Sequence, residues 1–276
     1  MSAVSALADG CQRVLGAPVL VLGLWVAYAL VPSPVAVDRL DTLVAWIDAG
    51  TLDSGPALVS LLWHSPGVPA YAALTTFLLG GFMDRLARNR ATATFGFFGA
   101  SGMFAFRFLR LGIIAVPIYA ALLVWLYPRL PLDRRASALV VGLLVFLVHL
   151  LFDYAKVRMV VEDRRSAIGA LTASLRFIRR NAGAAVPLAA VNVALAATTW
   201  WLAARFGIGL SAALYPYLLA RALLRLIFAA SLIALFQGRL AHAGYTARPQ
   251  ARWPDSPAAE AISPCGPARV DVRETP

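Results

Sequence analysis

Long uncharged apolar segments alternate with short arginine-rich segments along this chain. Six apolar segments are long enough to cross a bilayer, because a hydrocarbon core of about 30 Å needs roughly 20 helical residues per crossing. None of the segments alternates with the period of two that a membrane β-barrel requires. We therefore predict an all-α polytopic membrane domain over residues 1–242. Its predicted spans lie near Val14–Val35, Gly67–Met83, Leu111–Tyr127, Ala136–Phe152, Ala182–Leu202 and Tyr217–Phe236.

The connection after the fourth predicted span has the pattern of an amphipathic helix. Ser166 is a candidate N-cap, because its hydroxyl can accept a bond from a free backbone N–H of the first turn. The apolar residues that follow recur on one helical face: Ile168, Leu171, Leu175 and Ile178. We predict a helix lying along the inner membrane surface, with this apolar face toward lipid.

The connection after the second predicted span is expected to behave in the same way. Segment Phe95–Phe108 is rich in phenylalanine and glycine. Gly96, Gly99 and Gly102 recur at a spacing of three, which would offer a smooth face for the close approach of another helix. We predict a second amphipathic helix on the inner surface here.

Two features of the middle of the chain recur at one offset. Asp84 and Asp153 each close an apolar segment, and Arg107 and Arg176 each lie in a short motif of the form apolar-Arg-Phe-apolar-Arg. The offset is 69 residues in both cases (153 − 84 and 176 − 107). The pattern favours an internal repeat of 67–127 and 136–202. Two short matches are also compatible with chance, and that alternative stays open.

Composition and charge indicate orientation rather than chemistry. The chain is 60% hydrophobic, too apolar for an ordinary soluble domain, and its net charge is +11. The arginines flank apolar segments on alternate connections, so the positive-inside rule explains them better than a nucleic-acid partner does. We predict a multi-pass protein of the bacterial inner membrane with both termini cytoplasmic. Residues 243–276 are rich in proline and polar residues and are expected to form a disordered cytoplasmic tail.

The last predicted span carries two arginines. Arg221 and Arg225 are four residues apart and so share a helical face, with Arg225 about 12 Å inside the outer end. A charge near mid-membrane costs at least about 2.5 kcal/mol. One interpretation is an anion or lipid-headgroup site within the bundle. The other is snorkelling, with hydrogen bonds to carbonyls freed near Pro117 or Pro187.

His149 and Asp153 are the second costly pair. They are four residues apart on the fourth predicted span, so their side chains can meet. Ionisable groups within a span are candidates for function, here a proton relay. The alternative is that both lie near the cytoplasmic surface, with Asp153 solvated or paired with Lys156.

The basic residues of the two amphipathic segments are candidates for contact with anionic lipid. They are Arg107, Arg110, Arg176, Arg179 and Arg180.

The segment from Val157 to Asn181 resembles a known signature. Its residues VRMVVEDRRSA, followed by Ala-Leu, Ser and two arginines before Asn181, are similar to a motif in a diffuse group of bacterial six-span membrane domains. That group includes the membrane domain of some glycerophosphodiester phosphodiesterases. There, an acidic stretch containing serine opens an amphipathic helix that ends before the next span. The resemblance implies fold and topology, and it supplies no catalytic residues to carry over.

No enzyme motif stands out. HExxH, GxSxG, CxxC and P-loop patterns are not found, and Cys11 and Cys265 lack metal-ligand spacing. We therefore predict a non-catalytic membrane protein without a cofactor, a scaffold or subunit that engages anionic lipids or other membrane subunits. The alternative is a transporter or lipid flippase with an anion or headgroup site near Arg221 and Arg225.

Overall fold

The computed structural model describes residues 1–30, 67–89, 92–205 and 211–242. All regular structure within these ranges is helical, which confirms the all-α prediction for them. The predicted tail 243–276 and the end of the first predicted span, 31–35, lie outside the described residues. The helices, in chain order, are α1 (Ala3–Leu15), α2 (Pro18–Leu30), α3 (Gly67–Arg88), α4 (Thr94–Ala120), α5 (Arg134–Val161), α6 (Ala167–Arg180), α7 (Ala182–Arg205) and α8 (Ser211–His242).

Several of these helices have the length and hydropathy of membrane spans. Four segments are each long and apolar enough to cross a membrane: Thr94–Arg129, Arg135–Val161, Ala182–Thr199 and Tyr215–Leu240. A fifth is reached if α1 and α2, which meet at 81°, are counted together as one broken span. Helix α3 is not among them, because threonine, glycine and a terminal Asp-Arg pair dilute its apolar residues. The described residues therefore support a membrane protein with four or five spans, and the predicted six are not confirmed.

The first predicted span was expected to start at Val14, but the helix that follows in the structure starts at Pro18. Residues before Pro18 form a separate helix, α1, which ends at Leu15 and has Gly16 as its C-cap. Ser2 caps it through a reciprocal bond with Ser5, a capping box that satisfies two backbone donors. Pro18 then opens α2, where its missing N–H costs nothing. The prediction of a span from Val14 is wrong at this boundary.

The predicted amphipathic helix Phe95–Phe108 and the third predicted span are one helix. Helix α4 runs from Thr94 to Ala120 and continues through a π-helical turn, Ala121–Leu126, and a 3-10 turn, Tyr127–Arg129. No proline or capping residue interrupts it between the two predicted elements. The prediction of a separate interfacial helix here is wrong.

The second copy of the proposed repeat does have a break between its amphipathic helix, α6, and the span that follows, α7. Asn181 ends α6, and its side-chain amide donates to the carbonyl oxygen of Phe177 at 3.0 Å. Helix α7 begins one residue later. An asparagine that satisfies a carbonyl of the last turn separates α6 from α7, and α4 has no such residue at its midpoint.

Close helix contacts occur at Gly80 and Gly10 and not at Gly96 and Gly99, where the sequence predicted them. A Cβ placed on Gly96 or Gly99 would meet nothing within 4 Å. A Cβ on Gly80 of α3 would lie 2.8 Å from the Cβ of Phe104 on α4. The same holds for α1, where a Cβ on Gly10 would lie 2.7 Å from the backbone nitrogen of Ser231 on α8. The smooth face that brings α3 against α4 therefore belongs to α3.

Helices α1, α3 and α8 meet at one end of the bundle. Arg13 of α1 pairs with Asp9 at 3.0 Å and donates to the side-chain oxygen of Gln237 at 2.8 Å and to the carbonyl of Leu86 at 3.1 Å. Gln237 donates in turn to the carbonyl of Ala87 at 2.9 Å. The N-terminal helix and the end of the last helix therefore lie on the same side, while the cytoplasmic location of that side stays a prediction.

Candidate functional site

A cavity of about 320 Å³ lies between α5, α7 and α8. It extends from the ends of two candidate spans, at Thr199 and Tyr217, to Arg225, which is ten residues past Tyr215 or about 15 Å along the helix axis. Most of its lining is apolar. The lining residues are Phe146, His149, Leu150, Ala189, Asn192, Val193, Ala196, Thr199, Tyr217, Arg221, Leu224, Arg225 and Phe228.

Helix α8 contributes the two arginines that the sequence analysis singled out. Arg225 donates from Nη1 to the hydroxyl of Tyr28 at 3.3 Å, and the Arg221 guanidinium lies 5.8 Å from the centre of the Tyr28 ring. Tyr28 belongs to α2 and is only 3% exposed. This tyrosine therefore orients both cations, one through a hydrogen bond and one through the face of its ring.

Tyr28 was missed by the sequence analysis. It lies in an apolar segment with the composition of a span, where a tyrosine reads as an interfacial residue. Its contact with Arg225 joins residues 197 positions apart, so nothing in the local pattern points to it.

Helix α7 contributes polar side chains to the opposite wall. The Asn192 amide donates to the carbonyl of Leu188 at 2.7 Å, and the Thr199 hydroxyl donates to the carbonyl of Leu195 at 2.8 Å. Asn192 is 7% exposed, and its Oδ1 accepts no hydrogen bond from any described residue. An acceptor buried without a partner costs free energy.

Helix α5 contributes His149, whose predicted contact with Asp153 is present at 3.2 Å. Asp153 is buried and also pairs with Lys156 at 2.7 Å. The interpretation of Asp153 as a solvated residue is wrong, and its pairing with Lys156 is confirmed. The other ring nitrogen of His149 lies 3.2 Å from the Tyr119 hydroxyl. A relay role for His149 and Asp153 stays a prediction.

The charges around the cavity are predominantly positive. Arg221 and Arg225 are in its described lining, and no carboxylate is. The carboxylate of Asp153 contacts His149 at 3.2 Å and pairs with Lys156 at 2.7 Å. With its mostly apolar walls, the cavity is suited to an anionic group attached to an apolar body.

The remaining predicted arginines lie on α4 and α6. Arg107 makes contacts within the protein. It pairs with Asp163 at 2.6 Å, and its guanidinium carbon lies 5.1 Å from the centre of the Phe104 ring. Its side chain is only 11% exposed. It is thus poorly placed to bind lipid. The others are exposed, and they are Arg110, Arg176, Arg179 and Arg180.

Helix α6, which presents three of these arginines, has three distinct faces. Ser166 caps it as predicted, accepting from Gly169 N at 3.2 Å. Successive residues turn by about 100°, which places buried Ala170 and Ser174 toward the protein and Arg176 on the far side. The apolar residue Ile168 lies between these faces and is 69% exposed. A helix with a protein face, an exposed apolar face and a basic face has the arrangement expected at a membrane surface.

Helix α1 repeats this arrangement, which the sequence analysis did not foresee. Ala6, Gly10 and Val14 are buried against the bundle. Val4 and Leu15 are 77% and 75% exposed on the adjacent face, with polar residues beyond them. The described structure therefore has two candidate interfacial helices, α1 and α6, where the sequence predicted α6 and the first part of α4.

Within the described residues, no group of three or more His, Cys, Asp or Glu side chains is arranged to hold a metal ion. Comparison with protein families, curated proteins and solved structures yields no match. The resemblance of the segment 157–181 to bacterial six-span membrane domains therefore stays a prediction.

Proposed function

We propose that this protein is a non-catalytic integral membrane protein that binds an anionic lipid headgroup in the cavity between α5, α7 and α8. The observation that supports the proposal most directly is the placement of Arg221 and Arg225 together in a largely apolar cavity within the candidate spans, whose described lining has no carboxylate. Cations at this depth are costly. A bound phosphate would offset that cost through charge-assisted hydrogen bonds, which arginine forms well.

The basic face of α6 extends this proposal to the membrane surface. Arg176, Arg179 and Arg180 are exposed beside an apolar face, and each basic residue near an anionic leaflet contributes about 1 kcal/mol. Because cytoplasmic segments of bacterial membrane proteins carry the excess of arginine, we place this end of the bundle, and both termini, in the cytoplasm of a bacterial cell at its inner membrane. Other membrane subunits are possible partners of the same face.

Lipid binding by the purified protein shows whether the lipid binds in the cavity or on the basic face of α6. The protein in a non-ionic detergent is titrated with phosphatidylglycerol or phosphatidylcholine of matched acyl chains, and bound lipid is counted by native mass spectrometry. Arg225→Leu should lose the tightest phosphatidylglycerol adduct, since leucine is well tolerated at this depth and the variant should fold. The triple change of Arg176, Arg179 and Arg180 to Gln should keep that adduct and lose only weaker ones.

The opposite pattern would refute the cavity site. If Arg225→Leu binds phosphatidylglycerol as the wild type does, while the triple variant of α6 does not, the protein engages lipid at its surface alone. If wild type shows no preference over phosphatidylcholine, the whole proposal fails.

A second candidate function is transport of an anion or lipid. It is favoured by the chain of contacts from His149, in the cavity wall, through Asp153 to Lys156, which runs from the cavity toward the basic end of the bundle. Reconstitution of the protein alone in liposomes decides between the two. Lipid scrambling or anion flux that Arg225→Leu abolishes would establish transport, and binding without flux would leave lipid binding as the function.

A further inference from the structure

We propose that His149 is a third, proton-dependent cation of the cavity, so that the cavity binds an anionic headgroup together with a proton. This rests on the proposed function and adds a regulation of the same site. The observation behind it is that His149 lines the same cavity as Arg221 and Arg225. Its side chain is 58% exposed, so the ring is open to proton exchange.

The neighbours of the His149 ring suit both of its protonation states. Nδ1 lies 3.2 Å from the Tyr119 hydroxyl, which can donate to an unprotonated ring nitrogen and accept from a protonated one. Nε2 lies 3.2 Å from a carboxylate oxygen of Asp153, and a carboxylate at this distance attracts a positive charge on the ring. The ring is therefore supported whether it is neutral or charged.

The ionisable groups across the cavity oppose that charge when no anion is bound. They belong to α8, and they are the cations Arg221 and Arg225 together with Tyr217. Helix α7 presents only uncharged side chains to the described lining. Helices α3 and α6 and the two turns after α4, which also pack on α5, contribute no residue to it. Protonation of His149 therefore raises the positive charge of the described lining from two to three.

An anionic headgroup couples to this third charge. A phosphodiester keeps its single negative charge across the range in which histidine ordinarily titrates, about pH 5 to 8, so the ligand itself does not change. Its negative charge favours protonation of the ring, and by reciprocity a protonated ring binds the headgroup more tightly. The affinity for the headgroup should therefore rise as the pH falls.

The proton can come from water at the membrane surface. The cavity extends to the ends of two candidate spans, at Thr199 and Tyr217, where a span meets the aqueous side. One ring nitrogen of His149 accepts the proton, and the phosphodiester stays chemically unchanged. Asp153 is less suited to this role, because its side chain is 12% exposed and it is not in the described lining.

Binding of phosphatidylglycerol at two pH values tests the inference. The full chain in a non-ionic detergent is titrated with radiolabelled phosphatidylglycerol at about pH 5.5 and about pH 8, at constant ionic strength. Wild type should bind about three- to tenfold more tightly at the lower pH. His149→Gln cannot take up the proton and should give a ratio of about one. His149→Lys keeps its charge and should also give about one, with tighter binding than wild type at about pH 8.

His242→Gln is the matched control. His242 is the last residue of α8, 17 residues past Arg225 (242 − 225) or about 26 Å along the helix axis. This variant removes a histidine from the same protein but far from the cavity, so its affinity ratio should equal that of wild type.

Proton uptake gives a second measurement, which needs no variant to fold. Calorimetric titration at about pH 6.5, close to the ordinary midpoint of histidine, in two buffers of different ionisation enthalpy counts the protons taken up with each bound lipid. Wild type should take up a fraction of one proton. His149→Gln should take up none.

The outcomes separate this inference from the proposed function. Binding that is lost in Arg225→Leu but has the same affinity at both pH values, without proton uptake, overturns the role of His149 and leaves the anion site in place. A pH dependence that persists in His149→Gln assigns the proton to another group and also overturns it. Equal binding of phosphatidylcholine overturns both proposals. Displacement of the lipid by water-soluble glycerophosphoglycerol at similar concentration would overturn the lipid as the source of the phosphodiester.

Discussion

Alanine at Gly80 should destabilise the protein, although glycine to alanine usually stabilises a helix. In an open helical position the exchange gains about 0.5–1 kcal/mol. At Gly80 the added methyl would lie 2.8 Å from the Cβ of Phe104 and 3.3 Å from the Cα of Ser101. Neither atom is the end of a flexible side chain, so α3 and α4 must move apart. Overpacking of this kind costs about 1–3 kcal/mol, which leaves a net loss of up to about 2.5 kcal/mol after the helix gain is subtracted.

Gly99→Ala is the matched control, on the partner helix. Nothing lies within 4 Å of a Cβ at Gly99, so the variant should be as stable as wild type or slightly more so. Thermal unfolding of the detergent-solubilised protein, followed by tryptophan fluorescence, measures both. Gly80→Ala should lower the midpoint by up to about 10 °C, at roughly 2–4 °C per kcal/mol for a chain of this size. A stable Gly80→Ala together with a destabilised Gly99→Ala would show that α3 meets α4 through the glycine face of α4, contrary to this structure.

Three further changes test other contacts. Gly10→Val should release α1 from the bundle, because its Cβ would lie 2.7 Å from a backbone nitrogen of α8, whereas a Cβ at Gly23, the control position for Gly23→Val, meets nothing within 4 Å. Cleavage of α1 by a protease measures the difference, and equal cleavage of the two variants would contradict the packing of α1 on α8. Arg107→Gln should lower the free energy of unfolding by about 1–3 kcal/mol, because it leaves the partly buried carboxylate of Asp163 unpaired. Arg110 is exposed, so Arg110→Gln should be neutral. Thermal unfolding measures both, and equal losses of stability would refute the distinction. Tyr28→Phe keeps the aromatic ring but removes the hydroxyl that accepts from α8, so it should weaken phosphatidylglycerol binding about threefold to tenfold without the complete loss expected on removing a cavity arginine. Unchanged binding would show that this tyrosine does not position the site.

Features that depend on neighbouring residues were predictable from the sequence. The N-cap at Ser166 and the helix that follows it were placed correctly, because capping and amphipathic periodicity involve residues within about one turn. The contact of His149 with Asp153 was predicted for the same reason, since side chains four apart on a helix lie on one face.

Boundaries that depend on weak local signals were predicted less well. The break before Pro18 was missed because an apolar run continues on both sides of it, and α4 was divided although no capping residue or proline separates its halves. Where Asn181 supplies such a signal, the division between α6 and α7 was placed correctly.

The sequence by itself determined that the chain is helical, apolar enough for a membrane, and equipped with two arginines on one face of its last helix. Only the tertiary structure decided what that face meets: the cavity wall of α7 with Asn192, and Tyr28 from a helix 197 residues away. It likewise decided that Gly80 and Gly10, rather than Gly99, allow helices to approach closely. The physical reason is that periodicity defines the faces of each helix, whereas the rotation and partner of each helix follow from packing among all of them.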